Sequence, residues 1–435
     1  MNMLAQLWQF HRLRQALAYD AARLRRLQQQ RLRSLVTHAY RRIPYYRQRL
    51  NQLGVQPDDL RSLDDLAPLP ILTKADLQNA PPDTLISQGH DPATLIREQT
   101  TGSSGRPLVM HLDPAWLRMR NALFLRALVD CGYRPGRRLL MVTARQREKG
   151  PPGLGWRYLR HDANPRHNIQ RHNDHRPHIL YGWVTPIRRM AETAHHHALA
   201  LHQPHAVITT AETLDNATRQ QIQHAFNCPV HEIYGLTECG TIAWQAPGHR
   251  HFRISHESLI VEFLPLQLPP DATHEHAPHV RRIVVTNLGL RAMPLIRYDT
   301  GDLATLAPAT NPAEPAAMPM IERIDGRQVD CLRLGDGRIV SPFELTLAME
   351  QVPGLVRHQV LQLGPDHVRV RYQLPSANAN PTADTDAAAA IASALRNVLG
   401  PDVQIDARRE ANLDPPPGQK FRVVHCRLHE QGVAP

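Results

Sequence analysis

Residues 205 to 235 read HAVITTAETLDNATRQQIQHAFNCPVHEIYG, a short β-branched run, a helical run opened by an aspartate, and a second β-branched run. That rhythm is the signature of an α/β unit with parallel strands, because parallel neighbours need a long crossover and a helix supplies it. In such sheets ligands gather beyond the carboxyl ends of the strands. Two strand ends here are polar: ITTAE at 208–212 and IYGLTECG at 233–240.

The flanking segments extend the pattern. PAWLRMRNALFLRALVDCGY reads as a helix leading into the strand RLLMVTA, and LAPLPILTKADLQ places Thr73 as a cap for another helix. The polar, histidine-rich stretch from about 145 to 178 has no clear period and is expected to be an irregular surface loop whose histidines have no specific task. SLIVEFLPL and RRIVVTNL read as antiparallel strands, followed by MPLIRYDTGDLATL and a Pro/Ala-rich loop, APATNPAEPAAMPM. After RIDGRQVD the texture changes to short strands, CLRLGDGRIV with an Asp-Gly hairpin signal and HVRVRYQL. Two helices join them, one expected to be capped by Thr385 or Asp386 ahead of AAAAIASALRNVL. At 435 residues the chain exceeds a single core, since cores stop growing near ~250–300 residues. Two domains are expected, residues 1–328 and 329–435, the second a small α+β unit.

Composition removes several classes. No apolar run approaches the ~20 residues of a membrane span, and the opening MNMLAQLWQFHRLRQALAYD is broken by His11, Arg12 and Arg14, so a cytoplasmic protein is expected. Five cysteines without a CxxC pair suggest reduced thiols. The net charge of +11 invites an anionic partner. Yet RLRRLQQQRLRSL sets Leu24, Leu27, Leu32 and Leu35 on one face, the pattern of a helix docked on a core, and no nucleic-acid motif accompanies it. A nucleic-acid-binding protein is therefore the remote alternative, and no nucleic-acid partner is expected.

The stretch REQTTGSSGRPLVM, residues 97–110, packs Thr100, Thr101, Gly102, Ser103, Ser104 and Gly105 into six positions before Arg106 and Pro107. Hydroxyls and freed backbone N–H groups suit phosphate oxygens, but the spacing and the missing GK[ST] ending exclude a P-loop. Four further clusters follow in order: YGLTE at 234–238, RYDTGD at 297–302, DGRQVD at 325–330 and GQKFR at 418–422. With these five motifs the chain resembles the acyl-adenylate-forming enzymes, most closely the phenylacetate–CoA ligase branch and its capsule-biosynthesis-type relatives. YRRIPYYRQRL and LPILTKADL share the style of their opening.

The resemblance implies a large N-terminal adenylate-forming domain, of α/β layers plus a small antiparallel β region, and a small mobile α+β C-terminal domain. It implies that the loop with Thr100, Thr101, Gly102, Ser103, Ser104 and Gly105 holds the β and γ phosphates of ATP. Tyr234 and Gly235 would flank adenine, Thr237 would donate to the α-phosphate, and Glu238 would hold Mg2+. Thr210 and Glu212 would border the nucleotide, Asp302 would accept the ribose hydroxyls, and Arg327 would reach ribose or phosphate oxygens. Lys420, carried by the small domain, would bridge the attacking carboxylate and the α-phosphate, where its charge counts most in the transition state. Tyr181, Trp183, Ala243 and Trp244 are candidates to line the acid pocket.

Three positions depart from the family pattern. Gln419 separates Gly418 from Lys420, Val329 precedes Asp330 where two acidic residues are usual at the hinge, and Arg106 adds a cation to the phosphate loop. A zinc site built from Cys239, His249, His251 and His256 is not favoured, as no thiolate pair is present. The expected activity is ATP-dependent activation of a small, aromatic-type carboxylic acid as acyl-AMP, then transfer to the thiol of coenzyme A or of phosphopantetheine on an acidic carrier protein. An alternative outcome is transfer of AMP or acyl to a hydroxyl or amine in polysaccharide, pigment or cofactor biosynthesis.

Overall fold

The structure is a computed structural model that describes residues 3–100, 107–144, 148–150, 155–249, 251–266, 280–308, 318–375, 381–415 and 420–428. A short antiparallel hairpin comes first, β1 (Ile96–Gln99) with β2 (Val109–Leu112). The central sheet follows: β3 (Leu139–Thr143), β4 (Trp156–Arg160), β5 (Ile179–Trp183), β6 (Ala206–Thr210), β7 (Val230–Leu236), β8 (Gly240–Trp244) and β9 (Arg253–Ile254). Its order is β4-β3-β5-β6-β7-β8-β9, parallel from β4 to β7 and antiparallel beyond.

The inner strands are apolar on both faces because both faces are covered. Leu140, Val142, Leu180 and Val207 pack against Ile169, Ile187, Met190, Ile222 and Phe226 from the helices Pro165–His175, Val184–His196 and Asn216–Phe226. On the other face Leu139, Met141, Ile179 and Ile208 meet Ala127 and Leu128 of the helix Pro114–Asp130. Asp215 caps Asn216–Phe226 by accepting the Thr218 N–H, and Thr73 caps Lys74–Asn79 through a reciprocal box with Asp76.

A second, antiparallel sheet runs β10 (Leu259–Leu264), β11 (Val280–Asn287), β12 (Tyr298–Leu306) and β13 (Ile321–Arg327). The basic helix Ala21–Arg42 packs its apolar face here. Leu32, Leu35 and Val36 share a core with Ile283, Val285 and Leu295, Leu24 is also buried, and Leu27 is half-buried. Its arginines thus decorate a docked helix.

The small domain has its own core from Leu332 to Leu428. It contains the hairpin β14 (Leu332–Arg333)/β15 (Ile339–Val340), turned at Asp336-Gly337 with Gly337 at φ +85. Strands β16 (Arg357–Gly364), β17 (His367–Gln373), β18 (Gln404–Arg409) and β19 (Val424–Cys426) form a sheet in the order β18-β17-β16-β19. The helix over this sheet spans Pro381–Leu399, so Thr385 and Asp386 lie inside it instead of capping it. Proline suits a first helical position, and Asp384 in the first turn is favoured by the helix dipole and paired to Arg409.

The histidine-rich stretch is not an irregular loop. It contains β4, an edge strand with only Tyr158 and Leu159 buried, and the helix Pro165–His175, which buries a narrow stripe of Asn168, Ile169 and His172. An edge strand and a one-stripe helix leave most side chains in water, which hid the period. His172 is fully buried, its Nε2 donates to the His202 carbonyl at 2.8 Å, and its ring meets Phe226 edge-on.

Burial pushes His172 down to about 4 from its ordinary 6.5. A base depressed in the folded state stabilises above its unfolded pKa, and that contribution is lost as pH falls from about 6.5 towards 4. Between pH 7 and 5 this one group should cost about 2 kcal/mol of stability. Thermal midpoints measured across that range should fall more steeply for the wild type than for His172→Gln.

Candidate active site

The polar ends of β6 and β7 open on a cleft closed by β12, β13 and the segment Lys420–Val424 of the small domain. Asp302 on β12 stands opposite Arg327 on β13 in the strand register, with Arg327 Nε 3.5 Å from Asp302 Oδ1. Tyr234 donates its hydroxyl to Asp302 Oδ2 at 2.8 Å. Burial pushes the Asp302 carboxyl up, while Arg327, Tyr234 and Lys420 oppose that rise.

Beyond β7 the chain turns at Thr237-Glu238. Gly235 is required there, because a Cβ would come within 2.6 Å of the Gly240 carbonyl oxygen. Glu238 is buried and accepts the Tyr298 hydroxyl at 3.2 Å. Burial raises its carboxyl and the Lys74 ammonium opposes this. Lys74 was not singled out in the sequence. Its signal was scarcity, since Lys74, Lys149 and Lys420 are the only lysines beside 48 arginines. Arg120 crosses the same turn, forming two bonds to Glu98 on β1 at 2.7 and 2.6 Å and one to the Thr237 carbonyl at 3.4 Å. Glu98 leads directly into the Gly/Ser loop. The Thr100 hydroxyl oxygen accepts the Leu108 N–H at 3.0 Å and the Thr100 N–H donates to the Leu108 carbonyl, closing the loop's base. Thr101, Gly102, Ser103, Ser104, Gly105 and Arg106 lie outside the described residues, as do Gly418 and Gln419.

Lys420 enters from the small domain. Its Nζ lies 5.4 Å from the Trp183 ring centroid, and Trp183 is buttressed edge-on by His161. Burial and Arg327 depress the ammonium, whereas Glu212, Asp302 and Glu238 hold its charge. Glu212 follows Ala211, a non-glycine residue at φ +72 that sharply redirects the chain after β6. Its Oε2 accepts the Thr185 N–H at 2.7 Å, and its Oε1 accepts the Phe421 N–H at 2.9 Å. Glu212 thereby positions the residue next to Lys420. Thr210 lines the same cleft and donates its hydroxyl to the Ile233 carbonyl.

The other candidates are placed as follows in the packing. Ala243 and Trp244 are fully buried in the wall, with Trp244 Nε1 donating to Asp130, and Tyr181 packs edge-on against Phe124. Of the four aromatic and small residues proposed for the acid pocket, Trp183 carries the ring under the Lys420 ammonium, and Ala243 stands opposite Tyr234 in the strand register. Arg297 in RYDTGD sits at φ +51 and is tied to Glu262 and to the Ala67 and Leu69 carbonyls, an anchor for the first segment. Cys239 is buried, and among the described residues no group of three or more His, Cys, Asp or Glu side chains is placed to hold a metal ion.

The domains are joined around the cleft by charge. Asp414 of the small domain pairs with Arg188 and Arg189 of the large one and with Arg357 of its own. Asp330 is buried and paired to Arg422, and Val329 beside it is exposed.

A lysine brought to the carboxyl edge of a parallel sheet by a separate small domain points to the adenylate-forming class, and comparison with known proteins agrees. Phenylacetate-coenzyme A ligase of Thermus thermophilus is 29% identical over 299 residues, covering 65% of this chain and 66% of that protein, just under two thirds of its length. Protein CapK of Staphylococcus aureus is 23% identical over 361 residues, 79% of this chain and 77% of that one. Among solved structures, 2-hydroxyisobutyryl-CoA ligase in the postadenylation state with 2-HIB-AMP superposes with a TM-score of 0.72 at 19% identity, covering 93% and 90% of the two chains. The same enzyme with 2-HIB-AMP and CoA in the thioesterification state gives 0.60 at 20% identity, covering 96% and 93%. No protein-family model matches. The chain is similar to the phenylacetate-coenzyme A ligases and to CapK, and it shares the fold of 2-hydroxyisobutyryl-CoA ligase. Proteins named phenylacetate-coenzyme A ligase from Aromatoleum evansii and Pseudomonas putida are each 27% identical to this chain.

Removing Asp414 leaves the buried Arg188 with only Glu192 of its own helix, and the buried Arg357 without its carboxylate. Breaking one side of such a buried pair costs on the order of 3 kcal/mol. Asp414→Ala should loosen the small domain, and limited trypsin digestion should release it several times faster than from the wild type by cutting near Arg327 and Arg333.

Proposed function

We propose that the protein activates a small carboxylic acid, of aromatic type, with MgATP as its acyl adenylate and then transfers the acyl group to the thiol of coenzyme A. The observation that carries this reading is Lys420, delivered by the small domain among Glu212, Asp302 and Glu238. In the first half-reaction a carboxylate oxygen attacks the α-phosphorus and the bond to the departing pyrophosphate breaks. Two anions must be held together while charge grows on the phosphoryl oxygens, so a fixed cation supplied at that point lowers the barrier. A lysine suits this better than an arginine, being a compact point charge on a flexible stem.

Asp302, with Arg327 and Tyr234 already on its oxygens, is suited to the ribose hydroxyls. Tyr234 and Gly235 form the adenine wall, and Thr237 serves the α-phosphate. Glu238 is the carboxylate for the Mg2+ that accompanies ATP; one carboxylate plus phosphate oxygens is a normal Mg2+ set. The loop from Thr100 to Gly105 takes the outer phosphates, with its base fixed at Thr100 and Leu108. In the second half-reaction the thiol sulfur attacks the acyl carbon, its proton is lost, and AMP leaves. Coenzyme A is favoured over a carrier-protein arm because relatives are named coenzyme A ligases. The phenylacetate in those names, with Trp183 beside Lys420, favours an aromatic acid.

Pyrophosphate release with hydroxylamine as acceptor, run over a panel of aryl and aliphatic acids, should be acid-dependent and strongest with arylacetates. Lys420→Ala should lower it about 100-fold or more, and Asp302→Ala should mainly raise the KM for ATP. Replacing hydroxylamine by CoA should yield the thioester. Acid-independent pyrophosphate release, or full activity in Lys420→Ala, would sink the reading.

A further inference from the structure

At the opposite, amino-terminal edge of the central sheet lies a second concavity of about 480 Å³, within the ~300–1,000 Å³ of small-ligand sites. Arg138, His178 and His205 immediately precede β3, β5 and β6, whose first residues pair in register, so these three side chains start from one level of the sheet. The ladder continues through them: the His178 N–H donates to the Arg138 carbonyl and the His205 N–H to the His178 carbonyl, both at 2.8 Å. Arg134 and Arg137 join from the turn after the helix Pro114–Asp130, and Arg176 from the left-handed end of Pro165–His175. The His178 and His205 rings are stacked, with centroids 4.9 Å apart. Gly132 lets that stack approach the backbone, as a Cβ there would meet the His205 ring at 2.9 Å.

The charge here is unbalanced and faces solvent: Arg134, Arg137, Arg138 and Arg176 are all exposed around the rim. Less exposed arginines elsewhere are matched by carboxylates, as in Arg120–Glu98, Arg126–Glu257 and Arg297–Glu262. Among the described residues no carboxylate lines this concavity or forms an ion pair with Arg134, Arg137, Arg138 or Arg176. A helix C-terminus accounts for one cation, Arg176, and not for three more. Burial, and then the charges of His205, Arg134 and Arg137, lower the His178 pKa, so the positive field at neutral pH comes from the arginines. Four guanidinium groups around one hollow repel each other, and a multiply charged anion relieves that repulsion while offering acceptors to their forked donors.

We propose that this hollow is a second ligand site, for a small polyphosphate anion, either inorganic polyphosphate or the triphosphate of a nucleotide. It is separate from the ATP cleft, because strands of five residues at ~3.3 Å each place roughly 15 Å of packed sheet between the two. A concavity favours a compact anion over a nucleic-acid strand, which binds along an extended basic groove with stacking aromatics.

The test is calorimetric titration of the full-length protein with sodium tripolyphosphate at low salt. Wild type and Lys420→Ala should bind alike. The Arg134→Ala/Arg176→Ala double variant should bind about tenfold or more weakly, with its thermal midpoint and acid-dependent pyrophosphate release unchanged. Arg137→Gln, a milder change, should weaken binding in the same direction. Competition by a nonhydrolysable ATP analogue for the binding that the double variant loses assigns the site to a nucleotide, and its absence assigns inorganic polyphosphate. The proposal is overturned if tripolyphosphate does not bind, if the double variant binds like wild type, if equimolar sulfate displaces it fully, or if duplex RNA binds more tightly.

Discussion

Asp414 answers three guanidinium groups from two domains, and the placing of Lys420 depends on that meeting. Arg188 and Arg357 are both buried, and a buried guanidinium without a partner costs several kcal/mol. The domain interface therefore cannot be apolar at this point, and it cannot slide by a residue without stranding charge. Phe421, next to Lys420, packs its ring under the Arg357 guanidinium at 3.7 Å and gives its N–H to Glu212. Two carboxylates, one from each domain, thus fix the lysine's neighbourhood from both sides. The ammonium arrives in a cleft with three acidic groups because the backbone on either side of it is already spoken for.

Much of this was legible in the sequence where one local rule governed. The run from His205 to Gly235 announces a parallel sheet with its polar ends at ITTAE and YGLTE, and the structure puts both ends on one cleft. The order of motifs pointed to Tyr234, Glu238, Asp302, Arg327 and Lys420, residues up to 186 positions apart in the chain that converge here. What stayed hidden depends on partners remote in sequence. β4 and the helix Pro165–His175 bury too narrow a stripe to show a period, and His172 looks like any histidine until Phe226 and His202 close over it. Trp244 resembled a pocket residue, and only the fold shows its ring beneath Arg126 and its Nε1 on Asp130.

Lysine usage shows the same limit from another side. A chain this rich in arginine places its structural cations as guanidinium forks: Arg297 into Glu262 and two carbonyls, Arg126 into Glu257 and Ser255. Two of its three lysines face one buried carboxylate, Glu238. A fork locks one geometry, whereas an ammonium on a flexible stem can follow a charge that moves during reaction. Scarcity made Lys420 conspicuous, but only the packing of the helix Lys74–Asn79 against β12 brings Lys74 to Glu238.

The charges at the domain boundary are mostly doubled. Arg188 has Glu192 on its own helix besides Asp414, Asp414 has Arg357 in its own domain besides Arg188 and Arg189, and Glu212 has the Thr185 N–H besides that of Phe421. Asp330 pairs with Arg422 inside the small domain and takes no part in the boundary. Each doubled group thus makes one contact within its own domain and one across, so the inner contact orients the side chain that makes the outer one. A carboxylate already fixed by its own domain presents its free acceptor in one direction, which is how a few shared charges set where Lys420 stands.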